Sequence, residues 1–354
     1  MSPSDRLLTI TLYSHHFAVS NLTPRGRGAC LAFAKTLVSW KNSNKQGYNQ
    51  KQMDKVYAAS DASRQYFRFH INSLEVFKEY LRDNQVQEEF VELIIEAPIE
   101  AVKVDFEIRP TWEDFDYQVP LIQYLIDSPY PSRLLTLQTG RGKGYCSMRA
   151  IAALGMRTCA IMQPKYIKKW VDELLEIYFI RHEDILVIQG SAALKTLLIL
   201  AQEERLDAKV IIISSVTMQQ WISDYEDHGD VIFDMGYSCP PQELFGKIGA
   251  GIKLVDEVHQ QFHLLFKIDL YTHCVASISL SATLFSEDAF VKKMYDIMFP
   301  PAQRPVDLGL NKYIDAYNVF YDFKDPTKIK TAEWGSKNYS QKIVHDFITD
   351  CSVE

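Results

Sequence analysis

Short apolar segments alternate with helical segments through the middle of the chain, and this alternation constrains the fold more than any other feature. The strand-like segments are rich in Ile, Val and Leu on both faces, which is typical of a parallel sheet covered by helices. The sequence therefore predicts an α/β domain with that architecture. The alternating segments are Leu134–Leu137, Arg149–Leu154, Thr158–Met162, Ile167–Phe179, Ile185–Ile188, Ala192–Glu203, Val210–Ile213, Lys253–Val255 and Ser277–Leu280.

The N-terminal third has a looser pattern that predicts a small α/β unit. Thr alternates with Leu and Ile between Leu7 and Tyr13, as in a half-buried strand. A polar loop that bears lysines is expected after Trp40. Further strands are predicted at Arg64–Asn72, Val91–Ile95 and Val102–Ile108, and helices at Gly26–Trp40 and at Ser73–Asn84, where Ser73 is the expected cap.

Two breaks divide the chain into domains, of which a length of 354 residues predicts two to three at about 150 residues each. Arg109, Pro110 and Trp112 end the first pattern, and a helix is predicted just after them at Tyr117–Ile126. Phe299–Pro305 carries three prolines in seven residues, which excludes regular helix and central strand. The predicted domains are residues 1–108, a small accessory unit, residues 109–300, the parallel-sheet domain, and residues 301–354, a linker with a short C-terminal segment.

Charge and cysteine usage narrow the class of protein. The formal net charge is −7, but residues 1–70 hold ten Lys and Arg against three Asp. The six cysteines show no C-x-x-C and no zinc spacing, which fits buried thiols in a reducing compartment. The start of the chain has no signal pattern, and no stretch has the apolar length of a membrane span. We therefore expect a cytoplasmic protein without a membrane partner.

A glycine-rich turn follows the segment Leu134–Leu137 and precedes a helix. It reads Gln138-Thr139-Gly140-Arg141-Gly142-Lys143-Gly144. Glycines let backbone N–H groups face a phosphate at a helix N-terminus, and a lysine supplies positive charge for the β- and γ-phosphates. The strict phosphate-loop motif is broken twice, because Leu137 takes the first glycine position and Gly144 replaces the hydroxyl residue that binds Mg²⁺. A turn of purely structural purpose is the alternative.

Two more motifs follow apolar strands. Lys253–Val255 is followed by Asp256-Glu257-Val258-His259, and Ser277–Leu280 by Ser281-Ala282-Thr283. The carboxyl ends of parallel strands converge on a ligand crevice, where Asp256 would hold Mg²⁺ and Glu257 would polarise an attacking water. Taken alone, an acidic pair is more often a solvated strand end, and a Ser-Ala-Thr tripeptide indicates little.

The order and spacing of the three motifs resemble the first RecA-like lobe of superfamily 2 helicases and translocases. Lys143 precedes Asp256 by 113 residues, and Asp256 precedes Ser281 by 25. In this resemblance Lys143 belongs to motif I, Asp256-Glu257-Val258-His259 is a DEVH version of the DEAH box, and Ser281-Ala282-Thr283 is motif III. The resemblance covers roughly residues 109–300 and implies a RecA-like P-loop domain with ATP and Mg²⁺ as cofactors. The preceding small domain resembles that of phage UvsW-type helicases, for which the compartment would be the host cytoplasm.

The resemblance also implies roles for single residues. Asp256 would bind Mg²⁺, Glu257 would position water, and His259 would relay closure through Ser281 and Thr283 to the nucleic acid. Motif Ia would include Lys165 and Trp170 and motif Ib would include Thr217, and both motifs would contact the nucleic-acid backbone. The implied nucleotide-binding residues are Gln118, Thr139, Gly140, Arg141, Gly142, Lys143 and Gly144.

The basic stretch Arg25–Lys55 is a second candidate for nucleic-acid binding. The aromatic residues Trp40, Tyr48 and Tyr57 accompany its lysines, so it offers charges for phosphates and rings for stacking. Lys41 and Lys45 are the predicted contacts. A solvated charged face is the alternative.

The sequence therefore predicts the N-terminal portion of an ATP-dependent DNA helicase or translocase, acting on duplex, branched or single-stranded DNA. Superfamily 2 motors hydrolyse ATP between two lobes, and the 49 residues after Pro305 suffice only for the start of an incomplete second lobe. A second RecA-like lobe, in cis or in trans, is therefore an expected partner, and the chain alone is expected to be weakly active or inactive. The alternative is a non-hydrolysing nucleic-acid-binding or regulatory module with a RecA-like fold, which Gly144 and the missing lobe favour.

Overall fold

The computed structural model describes residues 8–45, 48–61, 63–86, 88–282 and 288–305. All of them belong to one compact unit, Met1–Val306. The predictions for Thr283, for the side chain of Lys45 and for residues 306–354 lie outside the described part of the chain.

The N-terminal part is built on a mixed sheet with a separate hairpin. Over the described residues, five strands form the sheet in the order β5-β6-β2-β1-β7, where β1 and β7 run parallel and the other pairs antiparallel. The rings of Phe17, Phe33, Phe69 and Phe77 pack together in its core, with centroids 5.0 to 5.4 Å apart. The elements are β1 (Leu8–Leu12), β2 (His16–Ser20), α1 (Pro24–Lys35), β3 (Val38–Lys45), β4 (Tyr48–Val56), β5 (Ala59–Ser60), β6 (Phe67–His70), α2 (Leu74–Asp83) and β7 (Val91–Ile95).

The helix predicted over Gly26–Trp40 is too long, and the loop predicted after it is wrong. The helix α1 begins behind the Thr23 cap, whose hydroxyl accepts from Gly26 N at 3.2 Å, and it ends at Lys35. Trp40 lies in β3, which pairs antiparallel with β4 and places Trp40 opposite Met53. The Val and Trp at the start of β3 have high strand propensity, and cross-strand pairing supplies the hydrogen bonds that a loop would lack.

Of two further N-terminal predictions, one fails and the other holds only for the start of the helix. Val102–Ile108 is not a strand, because its backbone bonds to separate partners: Val102 N to Gly249 O at 2.9 Å and Val104 N to Gly155 O at 3.0 Å. Distant carbonyls thus satisfy this segment without a continuous ladder. The helix α2 does begin after Ser73, but the Ser73 side chain makes no capping hydrogen bond, and its hydroxyl is buried without a partner.

The parallel-sheet prediction is confirmed, and the fold class is α/β. Over the described residues, six strands run parallel in the order β10-β11-β9-β12-β13-β8, with helices on the flanks and a separate, smaller sheet at the N-terminus. The elements are α3 (Val119–Asp127), β8 (Ser132–Thr136), α4 (Lys143–Leu154), β9 (Thr158–Met162), α5 (Pro164–Ile177), β10 (Ile185–Ile188), α6 (Ser191–Gln202), β11 (Val210–Ser214), α7 (Ser215–His228), α8 (Leu244–Lys247), β12 (Ile252–Val255), α9 (Phe262–Asp269), β13 (Ala276–Ser281) and α10 (Ala289–Met298).

The strand order brings three predicted motifs to one edge of the sheet. β13 pairs with β12 on one side and with β8 on the other, all in parallel. The loops that leave β8 and β12 and the end of β13 therefore lie side by side at the carboxyl edge. Within the described residues, no helix combines the length and apolarity that crossing a bilayer requires.

The N-terminal part, which includes the five-stranded sheet (the small sheet below), packs against the parallel-sheet domain through aromatic rings and polar groups. The Tyr57 ring lies 5.0 Å from that of Phe266 and 6.1 Å from that of Phe262, both on α9. His16 Nδ1 bonds to Thr272 O at 3.1 Å. The N-terminal part thus contacts α9 and the segment between α9 and β13, both of which follow the acidic motif in the chain.

Candidate functional site

The glycine-rich turn of residues 138–144, called the phosphate loop below after the motif that it resembles, has the backbone shape that its glycines predict. Gly140 has φ +80° and Gly142 has φ +81°, in the left-handed region that side chains other than glycine rarely adopt. A Cβ at position 142 would also lie 2.5 Å from Gln118 Nε2. Gly142 is the N-cap of α4, which begins at Lys143. The free N–H groups of the first helical turn are therefore at the mouth of the loop, where they suit an anion.

A cavity of about 330 Å³ opens beside this loop. Lys143 lines it together with Asp256 and Glu257 from the end of β12, so three predicted catalytic residues share one space. Within the described residues, Lys143 forms no ion pair, which leaves its ammonium group to a ligand. The lining residues are Trp112, Thr139, Gly140, Gly142, Lys143, Gly144, Tyr145, Lys169, Trp170, Glu173, Glu176, Ile177, Asp256 and Glu257.

Two hydrogen bonds fix the carboxylate of Asp256. Trp170 Nε1 donates to Oδ2 at 2.9 Å, and the backbone N of Glu257 donates to Oδ1 at 2.8 Å. Trp170 is 1% exposed and is part of α5. Sequence reasoning grouped Trp170 with the nucleic-acid contacts of motif Ia, whereas the structure places it beneath the acidic motif. Each Asp256 oxygen still has a lone pair for a cation.

Glu257 and His259 form a connected pair behind Asp256. Glu257 has φ +50°, a left-handed conformation that costs a non-glycine residue on the order of 1 kcal/mol or more. His259 Nδ1 lies 3.3 Å from Glu257 Oε2 and 3.0 Å from Ser281 Oγ. The predicted contact between the histidine and motif III is therefore present at Ser281. Strain at Glu257 is of the kind found where a side chain must be aimed at a ligand.

Gln118 is buried under the phosphate loop. Its side chain is 2% exposed, Nε2 donates to Arg141 O at 3.3 Å, and Oε1 accepts from Phe115 N at 3.1 Å. Tyr117 also donates to Arg141 O, at 3.2 Å, and the Arg141 guanidinium lies 5.7 Å from the Tyr117 ring centroid. Gln118 and Tyr117 therefore support the backbone of the loop in this structure.

Two side chains in the first turn of α4, a phenol and a thiol, are buried in their neutral forms. Tyr145 donates to Asp114 Oδ1 at 2.8 Å, and burial raises the pKa of Tyr145, so the phenol stays protonated. Burial also raises the pKa of the Cys146 thiol to about 12, which leaves it neutral and unreactive. The cysteines in the described residues are all buried and free, as predicted.

A divalent cation fits the chemistry of this cavity only together with a ligand. Within the described residues, no three His, Cys, Asp or Glu side chains converge to hold a metal ion. Mg²⁺ accepts such sites, because it binds through one or two carboxylates and completes its shell with phosphates and water. Asp256 is the residue that would hold the ion, and the phosphates of a nucleotide and water would supply the other ligands.

The predicted nucleic-acid contacts lie in different surroundings. Lys165 is exposed at the start of α5, with Nζ 3.3 Å from Gln260 Oε1. Thr217 is 6% exposed, and its Oγ1 accepts from Gly190 N at 2.8 Å, so its hydroxyl serves the local fold. Lys41 on the hairpin is exposed and bonds to Asp54 Oδ1 at 2.7 Å.

Sequence reasoning missed Gln260 and Glu173. Gln260 Oε1 accepts from Gln163 Nε2 at 3.1 Å as well as from Lys165, which links the residue after the acidic motif to the start of α5. Glu173 lines the cavity from the third turn of α5. Neither residue belongs to a sequence motif. For Glu173 the sequence carries no signal, and for Gln260 the signal is its position directly after the acidic motif.

The solved structures that this chain resembles include the following three. The UvsW helicase from Bacteriophage T4 is 13% identical, with a TM-score of 0.46 over 82% of this chain and 96% of that one. A second structure of T4 UvsW is 13% identical, with a TM-score of 0.43 over 78% of this chain and 52% of that one. The Hef helicase domain of Pyrococcus furiosus is 15% identical, with a TM-score of 0.36 over 51% of this chain and 35% of that one.

This chain thus spans about half of the second T4 UvsW chain and about a third of the Hef chain. No protein-family model matches the chain, and no curated protein sequence matches it significantly. At such low identity and TM-score, a likeness to helicases assigns no activity. The residues at the carboxyl edge of the parallel sheet are therefore the basis for any functional proposal.

Proposed function

We propose that this chain is the N-terminal portion of an ATP-dependent superfamily 2 DNA helicase or translocase. Residues 1–108 form its accessory domain, residues 109–300 its first RecA-like lobe, and residues 301–354 lead into a second lobe. The observation that carries the proposal is the shared cavity of Lys143, Asp256 and Glu257, next to the amino terminus of α4. A lysine, a helix N-terminus and a fixed carboxylate are the groups that bind a nucleoside triphosphate with its metal.

The proposed mechanism assigns one task to each group. Lys143 and the N–H groups of the loop bind the phosphates, and Asp256, oriented by Trp170, holds Mg²⁺, which supplies charge stabilisation when bound. Glu257 orients the water that attacks the γ-phosphate. His259, bonded to Ser281, transmits closure to the residues that contact DNA. Gln118, which bonds to the backbone of the loop, would lie near the adenine, and arginine residues from a second lobe would complete the site.

The test is binding of a fluorescent ATP analogue to the full chain in the presence of Mg²⁺, with and without duplex DNA. We expect Lys143→Ala to weaken binding at least tenfold, because it removes the cavity's free cation from the phosphates. Glu257→Gln is the matched control from the same cavity, and its affinity should stay within threefold of the wild type. Equal affinities for Lys143→Ala and the wild type would contradict the proposal.

A non-hydrolysing module with the same fold is the second candidate, and one observation favours it. Gly144 lacks the hydroxyl that normally binds the metal, so tight Mg²⁺ binding needs another ligand. Under this alternative, the chain binds DNA but its affinity for the ATP analogue does not respond to Mg²⁺.

A further inference from the structure

A carboxylate reaches the phosphate loop at the position where the loop lacks its metal-binding hydroxyl. A Cβ built on Gly144 would lie 3.2 Å from Glu173 Oε2 and 3.8 Å from Trp170 Cη2. The space that a serine or threonine side chain would fill is therefore bordered by an oxygen of Glu173. Such an oxygen is as hard a ligand as the missing hydroxyl and carries a negative charge as well.

The helix α5 holds Glu173 in this position. Trp170 and Glu173 are three residues apart and so lie on the same face of the helix. Trp170 bonds to Asp256, which ties that face to the acidic motif at 2.9 Å. Glu173 Oε1 pairs with Lys169 Nζ at 3.4 Å, while Oε2 is the oxygen beside Gly144. One helix therefore orients both Asp256 and a second carboxylate.

The charges of the cavity require a cation between protein and nucleotide. Its wall carries four carboxylates, from Glu173, Glu176, Asp256 and Glu257, against the ammonium groups of Lys143 and Lys169. Phosphates beside Glu173 would be repelled if no ion lay between them. A divalent cation removes this repulsion, because Mg²⁺ is commonly held by one or two carboxylates together with phosphate oxygens and water.

We propose that Glu173 supplies an oxygen ligand to the divalent cation, in place of the hydroxyl that is absent at Gly144. With Asp256 it would form a two-carboxylate set that is completed by the phosphates of the nucleotide and by water. This inference rests on the proposed function, because the metal arrives with the nucleotide. In this arrangement, Glu173 of α5 supplies the metal ligand that α4 lacks at Gly144.

The experiment compares the affinity of the full chain for a fluorescent ATP analogue in Mg²⁺ and in EDTA. For Glu173→Gln we expect at least tenfold weaker binding in Mg²⁺, the usual scale for damage to a metal site. In EDTA the same variant should bind as tightly as the wild type or more tightly, because a repelling charge is gone. A carboxylate that only repels phosphates would instead give tighter binding of the variant in both conditions.

Two further variants sharpen the test. Glu176→Gln removes an equal charge from the same wall but leaves the space beside Gly144 unchanged. Its affinity for the analogue should change by less than threefold, and in the same direction in Mg²⁺ and in EDTA. Gly144→Ser combined with Glu173→Ala returns a hydroxyl to the loop and should recover most of the Mg²⁺ dependence that Glu173→Ala alone loses. The EPR spectrum of Mn²⁺ bound with the analogue should change in Glu173→Gln and stay unchanged in Glu176→Gln.

The outcomes separate this inference from the proposed function. Equal Mg²⁺-dependent affinity in Glu173→Gln and the wild type would overturn the ligand role, while the loss of binding in Lys143→Ala would still support the nucleotide site. If neither the wild type nor any variant binds the analogue, in Mg²⁺ or in EDTA, the proposed function itself fails and the inference falls with it.

Discussion

The two ends of β12 carry charged groups with opposite consequences. At its amino-terminal end, Lys253 forms an ion pair with Asp269 of α9, and each side chain is 1% exposed. Directly after its carboxyl-terminal end, Asp256 and Glu257 are partly exposed and line the cavity beside the phosphate loop. Three positions along the chain separate a charge fixed in the interior from a charge that can meet a ligand.

The buried pair belongs to a polar cluster between the two sheets. Lys253 Nζ also donates to Thr272 Oγ1 at 3.2 Å, and His70 Nε2 from the small sheet lies 3.6 Å from Asp269 Oδ2. Burial lowers the pKa of Lys253 to about 8, so the amine is still charged at pH 7. A charge buried with its partner cannot leave it without a large cost in stability, whereas partly exposed charges at a strand end remain available to a ligand. Solvent access is thus the main difference between the two ends of β12.

The largest expected effect is the loss of one member of the buried pair. Lys253→Met leaves Asp269 charged and unpaired in the interior, and such a change costs about 3 to 5 kcal/mol of unfolding free energy. Urea unfolding of the full chain, followed by circular dichroism, measures it.

An exposed lysine–aspartate pair provides the matched control. Lys168 and Asp172 pair at 2.7 Å on α5, with side chains that are 87% and 58% exposed. Lys168→Met should cost at most about 1 kcal/mol, because solvent already screens this pair. Equal losses in the two variants would contradict the contrast between buried and exposed charge.

Acid should weaken the same cluster. Burial lowers the pKa of His70 to about 3, while an unfolded histidine titrates near 6.5. Between these values the unfolded state binds the extra proton, so stability is full above pH 6.5 and decreases as pH falls towards 3. The contribution of His70 corresponds to about 3 kcal/mol between pH 7 and pH 4.

Urea unfolding at pH 7, 5.5 and 4 tests this dependence. His70→Gln should flatten the decrease in unfolding free energy, although burial also lowers the pKa values of His15 and His16, which keep part of it. His228→Gln, at an exposed position on α7, should leave the decrease unchanged. A wild-type stability that is flat over this range would count against the neutral, buried state of His70.

At the carboxyl edge, the expected stability effects are smaller. His259 and Ser281 share one partly buried hydrogen bond of 3.0 Å, worth about 1 kcal/mol net. In a double-mutant cycle of His259→Ala and Ser281→Ala, the coupling energy in urea unfolding should be of that size. A coupling as large as the loss in Lys253→Met would show that these polar groups also serve mainly to hold the fold together.

The smallest effect is expected on the hairpin β3–β4. Lys41 is exposed and already pairs with Asp54, so it offers one phosphate contact at most. Lys41→Glu should weaken duplex DNA binding mildly and reduce the slope of log affinity against log salt by about 1. Lys78→Glu on α2, where Lys78 pairs with Glu75, is the control and should not change the slope. An unchanged slope in Lys41→Glu would exclude the hairpin residue from the DNA-binding surface.

Much of the parallel-sheet domain could be predicted because its signals are local. The segments Thr158–Met162 and Ile185–Ile188 coincide with β9 and β10, since apolar runs between helical segments mark buried strands directly. The convergence of the motifs also followed from sequence, because the carboxyl ends of parallel strands share an edge. In the N-terminal part, Trp40 was misassigned because a helical spacing of Ala and Leu ran on into residues that pair across strands.

The sequence by itself determined where the six parallel strands lie along the chain, the glycine loop before α4 and the acids after β12, because each depends on neighbours within a few residues. Only the tertiary structure decided that Trp170 holds Asp256 across a separation of 86 residues, that Lys253 finds Asp269, and that Glu173 borders Gly144. Side chains on separate helices carry no shared pattern along the chain. Their contacts follow from how α5 and α9 pack on the sheet, and it is this packing that distinguishes a buried ion pair from a ligand site.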